Sequence, residues 1–379
     1  MQVLVLGGGL VGSAIARDLS RDDRLEVIVA DRSPQVRSDL ADRYGMKTIH
    51  VDVADPAALV QAVQGVDLVV GAVPGFLGYR MLETVIGAGR HVVDISFCPE
   101  DPLALQELAV AQQVTVVVDA GLSPGLDNLV LGHYHELYDR IDHFVCYVGG
   151  LPQVRNWPFE YQSVFSPIDV IEEYTRPARL RIDGQVVTRP ALSDLEQLDL
   201  PQVGVVEAFN TDGLRTLLTT LNIPNMCEKT VRYPGHAEQM RMLRDAGFFS
   251  TDSLDIAGRP VSPRAVTAQL LFNAWQPVGD GRDLVVMRVI VTGQLRGRPV
   301  ITTVDLYDEY DGATNTTAMA RTTGYTCAAV ARLVLDGSYR KPGIAPLEMV
   351  GANRKAYDRL LDDLAQRGIT LTVSQREEA

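Results

Sequence analysis

The chain opens on short apolar runs that alternate with amphipathic stretches. Val3 to Leu6 is an apolar run that reads as a strand, a helical pattern follows Gly12, and a second run, Leu25 to Ala30, ends at Asp31. The alternation continues through strand Thr48 to Val51, helix Pro56 to Val63, strand Asp67 to Ala72 and helix Tyr79 to Gly87. Strands His91 to Ile95 and Val114 to Asp119 then flank a helix over Pro102 to Gln112. Repeated strand and helix segments with right-handed crossovers predict the α/β class, with a Rossmann-type doubly wound parallel sheet whose ligands lie at the strand carboxyl ends. The residues just past each strand therefore become candidates for function.

From Ser123 the pattern changes. Ser123 reads as a helix N-cap with Pro124 at the first helical position, and the strands that follow alternate in antiparallel style. Arg179 to Ile182 and Gln185 to Thr188 flank Asp183-Gly184, and Leu284 to Leu295 and Val300 to Tyr307 flank a turn at Gly297. Both read as hairpins. They predict an α+β domain with an open, mostly antiparallel sheet and helices on one face. Near Thr322 helical periodicity returns, and Ala356 to Ala365 carries Tyr357, Leu360, Leu361 and Leu364 on one apolar stripe that needs a partner surface. The expected division is a first domain over 1–122, a second over 123–321, and a segment 322–379 that packs back on the first, with Gln375 to Ala379 frayed.

The first turn carries the sharpest chemical signal. Gly7-Gly8-Gly9-Leu10-Val11-Gly12 is a GxGxxG turn that follows a strand, opens a helix and meets an acid, Asp31, about 20 residues on. Gly7 permits the tight turn, Gly9 lets backbone approach a pyrophosphate, and Gly12 allows helix to pack closely on strand, while the helix N-terminus faces phosphate charge. Asp31 would accept hydrogen bonds from ribose hydroxyls and repel a 2′-phosphate, which favours NAD. Arg32 could neutralise such a phosphate, so NADP is the alternative. Asp52 reads either as an adenine contact or as a loop cap. Val73 and Pro74, past a small apolar strand end, could run beside the coenzyme or form an ordinary turn.

Charge and composition narrow the partners. The chain has 379 residues, 46% of them hydrophobic, and a formal net charge of -13, which fits a globular protein of two or three domains and argues against nucleic acid or an anionic membrane. No apolar run reaches the roughly 18 residues that a spanning helix needs, and the start runs directly into a strand, so a cytoplasmic protein is expected. Cys98, Cys146, Cys227 and Cys327 form no CxxC pair and read as reduced, mostly buried thiols. His133 and His135 fall on different faces of one helix, and no metal is expected.

Further candidates lie where strands end and where polar residues crowd. Asp94 and Ser96 end a parallel strand on the crevice side, with helix capping near Pro99 as their structural alternative; Asp119 ends another. In the second domain Glu228 to His236 is a dense polar cluster. Arg232 offers a planar fork for a carboxylate, and Tyr233 and His236 could add hydrogen bonds or proton transfer. Arg215, in the turn Asn210 to Arg215, is a second anion candidate. Gly149-Gly150 opens a loop running past Trp157, Phe159 and Tyr161 to Ser166, where Gly150 would let substrate approach.

Taken together, the glycine turn, Asp94-Ile95-Ser96, Asp119 to Gly125, Gly149-Gly150-Leu151-Pro152, Val164-Phe165-Ser166 and Lys229 to Tyr233 resemble the saccharopine dehydrogenase-like family over nearly the whole chain. Ile171 to Ala178, Thr211 to Arg215 and Arg232 to His236 look like its lysine 6-dehydrogenase branch. The resemblance implies a nucleotide-binding domain, a mixed substrate domain and a returning C-terminal segment. It also implies NAD-dependent oxidative deamination of the ε-amino group of L-lysine to the 6-semialdehyde, which cyclises to a piperideine carboxylate. Saccharopine reductases of the family carry Cys just before Gly-Gly-Leu-Pro, where this chain has Val148.

On that reading a lysine ammonium, with a reference pKa of about 10.4, must give up a proton before hydride leaves, and Asp94, Asp119 and His236 are the candidate acceptors. Arg232, with Arg215, would hold the α-carboxylate, and Glu173 or Asp212 would meet the α-ammonium. Tyr233, Ser96 and Gly150 complete the substrate contacts. A homo-oligomer is expected. The alternatives are a saccharopine- or carboxynorspermidine-type NAD(P)-dependent reductase acting on a secondary amine, and a non-catalytic NAD-binding sensor.

Overall fold

A computed structural model describes residues 1–163, 167–277 and 279–377. The chain divides into two compact units, one of Met1–Tyr138 with Ala320–Thr370, the other of Asp139–Met319 with Leu371–Ala379.

In the first unit seven parallel strands lie in the order Gly343–Pro346, Thr115–Val118, His91–Asp94, Leu68–Gly71, Gln2–Leu6, Glu26–Asp31 and Lys47–His50. The order reverses direction at Gln2–Leu6, so the first strand and its glycine turn sit at the switch point, where ligands of doubly wound sheets bind. The central strands read as almost unbroken Val and Leu because both faces are covered: Leu4, Leu6, Val69, Val92 and Val116 are all buried in one core. Each such side chain contributes roughly 1.5–3 kcal/mol on leaving water.

The returning segment is tied to this unit by charge as well as by packing. Asp18, near the end of helix Leu10–Leu19, is fully buried and accepts from Arg332 at 2.8 Å and from Arg367 at 2.6 Å. The stripe foreseen on the last helix is real for Tyr357, Leu360 and Leu364, which are buried on Arg354–Ala365. Strand Gly343–Pro346 escaped the sequence reading, since four residues ending in proline carry too little pattern.

Two local expectations need correction. The helix expected from Pro124 begins instead at Leu126 and runs to Leu137. Gly125 takes φ 148°, outside helical space, and its amide donates to Asp127 Oδ1 at 2.9 Å, while Ser123 Oγ donates to Asp127 Oδ2 at 2.7 Å. That helix, read with the second domain, groups with the first unit. The tail expected to fray from Gln375 is strand Leu371–Glu377, paired antiparallel to Arg298–Glu309 in the second unit. Only that strand leaves the returning segment; residues 378–379 lie outside the described ones.

The second unit is built on a nine-stranded sheet. Its main path runs Glu196–Leu200, Gly204–Asn210, Asn225–Arg232, Arg140–Pro152, Asp283–Leu295, Arg298–Glu309 and Leu371–Glu377. Every pairing along it is antiparallel except that of Asn225–Arg232 with Arg140–Pro152. Both expected hairpins form, and at the first Asp183 and Gly184 take φ 49° and 80°, the left-handed pair that a two-residue hairpin turn requires. Helices Pro167–Thr175, His236–Asp245 and Pro263–Ala274 contribute to a separate core around Trp275. Among the described residues no helix is long and apolar enough to cross a membrane.

Candidate functional site

The first unit presents a shaped backbone turn. Gly7 takes φ 98°, and a Cβ there would fall 2.3 Å from the Ala72 carbonyl oxygen; a Cβ at Gly12 would fall 2.0 Å from the Gly7 oxygen. Both positions exclude any side chain. A Cβ at Gly9 would meet nothing within 4 Å, so that side of the turn is open space, and no side chain caps the helix that Gly9 precedes. The first helical amides, at Leu10, Val11 and Gly12, thus lie where a phosphate can take them.

Asp31 is pinned from two sides. Its Oδ2 accepts from the Gly8 amide at 2.8 Å and its Oδ1 from the Ser33 amide at 2.7 Å, which fixes the carboxylate beside the turn. The Arg37 guanidinium donates to the carbonyls of Asp31 and Arg32 at 2.7 and 3.0 Å, and the Arg32 side chain is exposed. This arrangement fits a dinucleotide: amides for the pyrophosphate and a fixed carboxylate for a ribose. Asp52 Oδ1 accepts from the Ala54 amide at 3.0 Å, the loop-cap geometry. Val73 is buried in the core, and Pro74 stands at the head of helix Gly75–Gly87.

Asp94 and Ser96 come together in the same unit. Both are buried, and Ser96 Oγ donates to Asp94 Oδ1 at 2.8 Å. Asp119 follows strand Thr115–Val118, is buried, and takes φ 52°. Its left-handed backbone is a strained state for an aspartate outside a tight turn.

In the second unit a buried polar cluster gathers side chains from separate elements. Arg232, 2% exposed at the end of its strand, forms an ion pair with Glu173 of helix Pro167–Thr175. Its Nε donates to the Tyr174 hydroxyl at 3.4 Å, its Nη1 to the Val231 carbonyl at 2.9 Å, and its guanidinium lies over the Tyr161 ring, 4.7 Å from the centroid. His236 heads the next helix, with Nε2 2.9 Å from the Tyr174 hydroxyl and Nδ1 2.9 Å from the Phe159 carbonyl. Burial, helped by the Arg232 charge, brings His236 down to about 3, so its imidazole is neutral. Burial likewise pushes the Tyr174 phenol up to about 12 against the pull of Arg232.

Other sequence candidates land elsewhere. The Tyr233 hydroxyl donates to the Pro152 carbonyl at 3.0 Å, and its ring lies under Arg155. Asp212 is held by Arg179 at 2.8 and 2.9 Å. Arg215 is buried with φ 42° in the turn before helix Leu217–Thr220. Gly150 lies buried in strand Arg140–Pro152 opposite Val285, and Val148, also buried, opposite Met287. Val164, Phe165 and Ser166 lie outside the described residues. Tyr174, inside the Ile171 to Ala178 stretch but with no role read from it, and Trp275, with no local signal, join the cluster. Among the described residues no group of metal-ligating side chains could hold an ion.

A seven-stranded doubly wound sheet with a pinned acid and an amide-lined glycine turn at its switch point defines a dinucleotide-binding α/β protein. The chain belongs to the saccharopine dehydrogenase family, matching its Saccharopine dehydrogenase NADP binding domain over residues 3–117 and its Saccharopine dehydrogenase C-terminal domain over 121–369. The first unit is accordingly an NAD(P)-binding domain. A relative named saccharopine dehydrogenase [NADP(+), L-glutamate-forming], from Saccharomyces cerevisiae, is 27% identical over 282 residues, 71% of this chain. The chain spans 63% of that relative's length. Among solved structures, apo histidine-tagged saccharopine dehydrogenase (L-Glu forming) from Saccharomyces cerevisiae shares the fold with a TM-score of 0.80, at 21% identity over 99% of both chains. A homospermidine synthase from Legionella pneumophila in complex with NAD shares it at 0.69, with 14% identity over 100% of this chain and 91% of that one.

Proposed function

We propose that this protein is an NAD(P)-dependent oxidoreductase acting on the amine-bearing carbon of an amino acid, and that its substrate is L-lysine, oxidised at the ε-carbon. The observation that carries the substrate class is the pair formed by buried Arg232 and half-buried Glu173. An amino-acid head group offers an α-carboxylate and an α-ammonium side by side, the same two charges reversed, so it can pair with both residues at once. Val148, in place of a thiol, supports amine oxidation over saccharopine chemistry.

The turn at Gly7 to Gly12 would hold the coenzyme phosphates, and Asp31 the adenosine ribose. Bound there, an oxidised nicotinamide supplies the hydride acceptor. The substrate ammonium must first lose a proton, for which Asp94 and Asp119 are the candidate acceptors. His236 suits that task poorly, because both its ring nitrogens are engaged and its imidazole is reluctant to take a proton. Loss of hydride from Cε while the nitrogen lone pair forms the C=N bond gives an imine, which water hydrolyses to the semialdehyde and ammonia.

A second reading, a reductase that joins or splits a secondary amine, is favoured by the names of the relatives. Production of NADH or NADPH, followed at 340 nm with L-lysine, saccharopine, ornithine and diamines, separates the two. Turnover with lysine and coenzyme alone is the expected result; turnover with saccharopine and not with lysine selects the second reading. Arg232→Ala should raise the lysine KM strongly with a modest fall in kcat, since its contact is similar in ground and transition states. An unchanged KM would reject the assignment.

A further inference from the structure

The cluster around Arg232 holds more donors than it uses. A guanidinium has five N–H groups; Tyr174, the Val231 carbonyl and Glu173 each take one, leaving two uncommitted among the described residues. Beside them the Tyr161 hydroxyl is buried next to the guanidinium, makes no hydrogen bond of ordinary geometry among those residues, and has no acceptor there for its own proton. A buried donor without an acceptor costs roughly 1–3 kcal/mol. Three of them against one cation mark a place for an anionic oxygen acceptor.

The hydrogen bonds behind Arg232 run in one direction only. The Phe159 carbonyl can only accept, so His236 Nδ1 carries the proton, and in the neutral ring Nε2 is then the acceptor. Tyr174 therefore gives its hydroxyl proton to His236 and turns its lone pairs toward Arg232 Nε. Reversing the tautomer would set a lone pair against the carbonyl and take from Arg232 the oxygen that holds its Nε. Phe159 and Tyr161 stand edge-on to Trp275, with centroids at 6.2 and 5.1 Å, and pack the relay in apolar surroundings. The groups facing His236 are Tyr161, Tyr174 and Arg232, with Glu173 beyond the guanidinium.

We propose that the two spare N–H groups of Arg232 and the Tyr161 hydroxyl form a cradle for the substrate carboxylate, and that Tyr174 and His236 are positioning residues that hold the guanidinium in place for it. This rests on reading Arg232 as the carboxylate anchor and adds the residues that complete and orient it. Tyr161 touches the carboxylate; Tyr174 and His236 act through Arg232. Only Arg232 and His236 are neighbours in sequence; Tyr161 comes from a loop and Tyr174 from another helix.

The test compares L-lysine with cadaverine, the same amine without the carboxylate, on the coenzyme-saturated protein. Tyr161→Phe keeps the ring and removes one hydrogen bond to a charged group, so the lysine KM should rise about tenfold with kcat little changed. Cadaverine kinetics and the coenzyme KM should stay as in the wild type, and Tyr174→Phe should shift the lysine KM in the same direction. Equal losses on lysine and cadaverine, or an unchanged lysine KM, would overturn the cradle. If the wild type oxidises neither amine, the proposed activity fails, and the cradle is judged by calorimetry with L-lysine: tighter binding to wild type than to Tyr161→Phe supports it, equal or no binding refutes it. Nitrogen-15 NMR of the wild type reads the relay without any variant. The His236 ring should be the neutral Nδ1–H tautomer from pH 5 to 9, and an Nε2–H or charged ring in that range would refute the positioning role.

Discussion

At the residue scale the first unit depends on positions where a single atom is too many. Gly12→Ala would drive a Cβ into the Gly7 carbonyl, so the helix must move off the strand and take its phosphate-facing amides along. NAD affinity measured by calorimetry should fall by at least tenfold while the second unit keeps its fold; unchanged affinity would mean that the turn does not hold the coenzyme. These positions were legible in the sequence because strand, turn, helix and acid are contiguous. The Arg232 cluster was legible only in part. Arg232 and His236 share a motif, and Glu173 was a candidate partner for the same head group, whereas Tyr161 and Tyr174 reach them through folding alone.

His236 makes a second prediction at this scale. Its folded value near 3 lies below the unfolded value of about 6.5, so folding favours the neutral ring. That contribution is complete above about pH 6.5 and is lost as pH falls toward 3. His236→Gln should flatten the fall in thermal stability across that window. An identical pH profile would show that His236 does not carry the acid sensitivity.

Among the elements, the last strand shows how a weak pattern can be decided by its partner. Leu371–Glu377 is almost wholly exposed and polar, and its end, from Gln375 on, read as frayed because nothing in its composition asks for burial. Its backbone nevertheless completes the edge of Arg298–Glu309 through seven paired positions from Leu306 to Val300. Deleting residues 371–379 should leave that edge unpaired, lowering the unfolding midpoint modestly and increasing aggregation on heating. Light scattering during thermal unfolding checks this, and indistinguishable curves would mean the strand is dispensable. The helix at Leu126–Leu137 erred in the other direction. Ser123-Pro124 is a strong start signal, but Asp127 draws the Ser123 hydroxyl and the Gly125 amide to itself and sets the start two residues later.

For the whole molecule, the parallel sheet and its switch point followed from the alternation of short apolar runs, and the return of the chain to the first unit from near Thr322 followed from the apolar stripe of the last helix; the later exit, after Tyr138, and the departure of the last strand to the second unit did not. Re-entry is secured by Asp18, whose buried carboxylate meets Arg332 and Arg367 from the returning segment. Asp363 also contacts both arginines, each at 3.0 Å. Asp18→Ala should therefore cost about 3 kcal/mol, near the lower end for breaking a buried ion pair, read as a lower urea midpoint for the first unit. A shift below about 0.5 kcal/mol, the size of an ordinary surface substitution, would show that packing alone holds the segment.

In the proposed reaction hydride passes from an amine-bearing carbon of an amino acid to the nicotinamide of a coenzyme whose phosphates lie at the glycine turn. The most direct test supplies L-lysine deuterated at the ε-carbon together with NAD and follows the reduced coenzyme by mass spectrometry. Reduced coenzyme carrying one deuterium is expected, formed in step with ammonia and a cyclic imine. Reduced coenzyme without the label, or none formed from lysine at all, would contradict the proposed reaction.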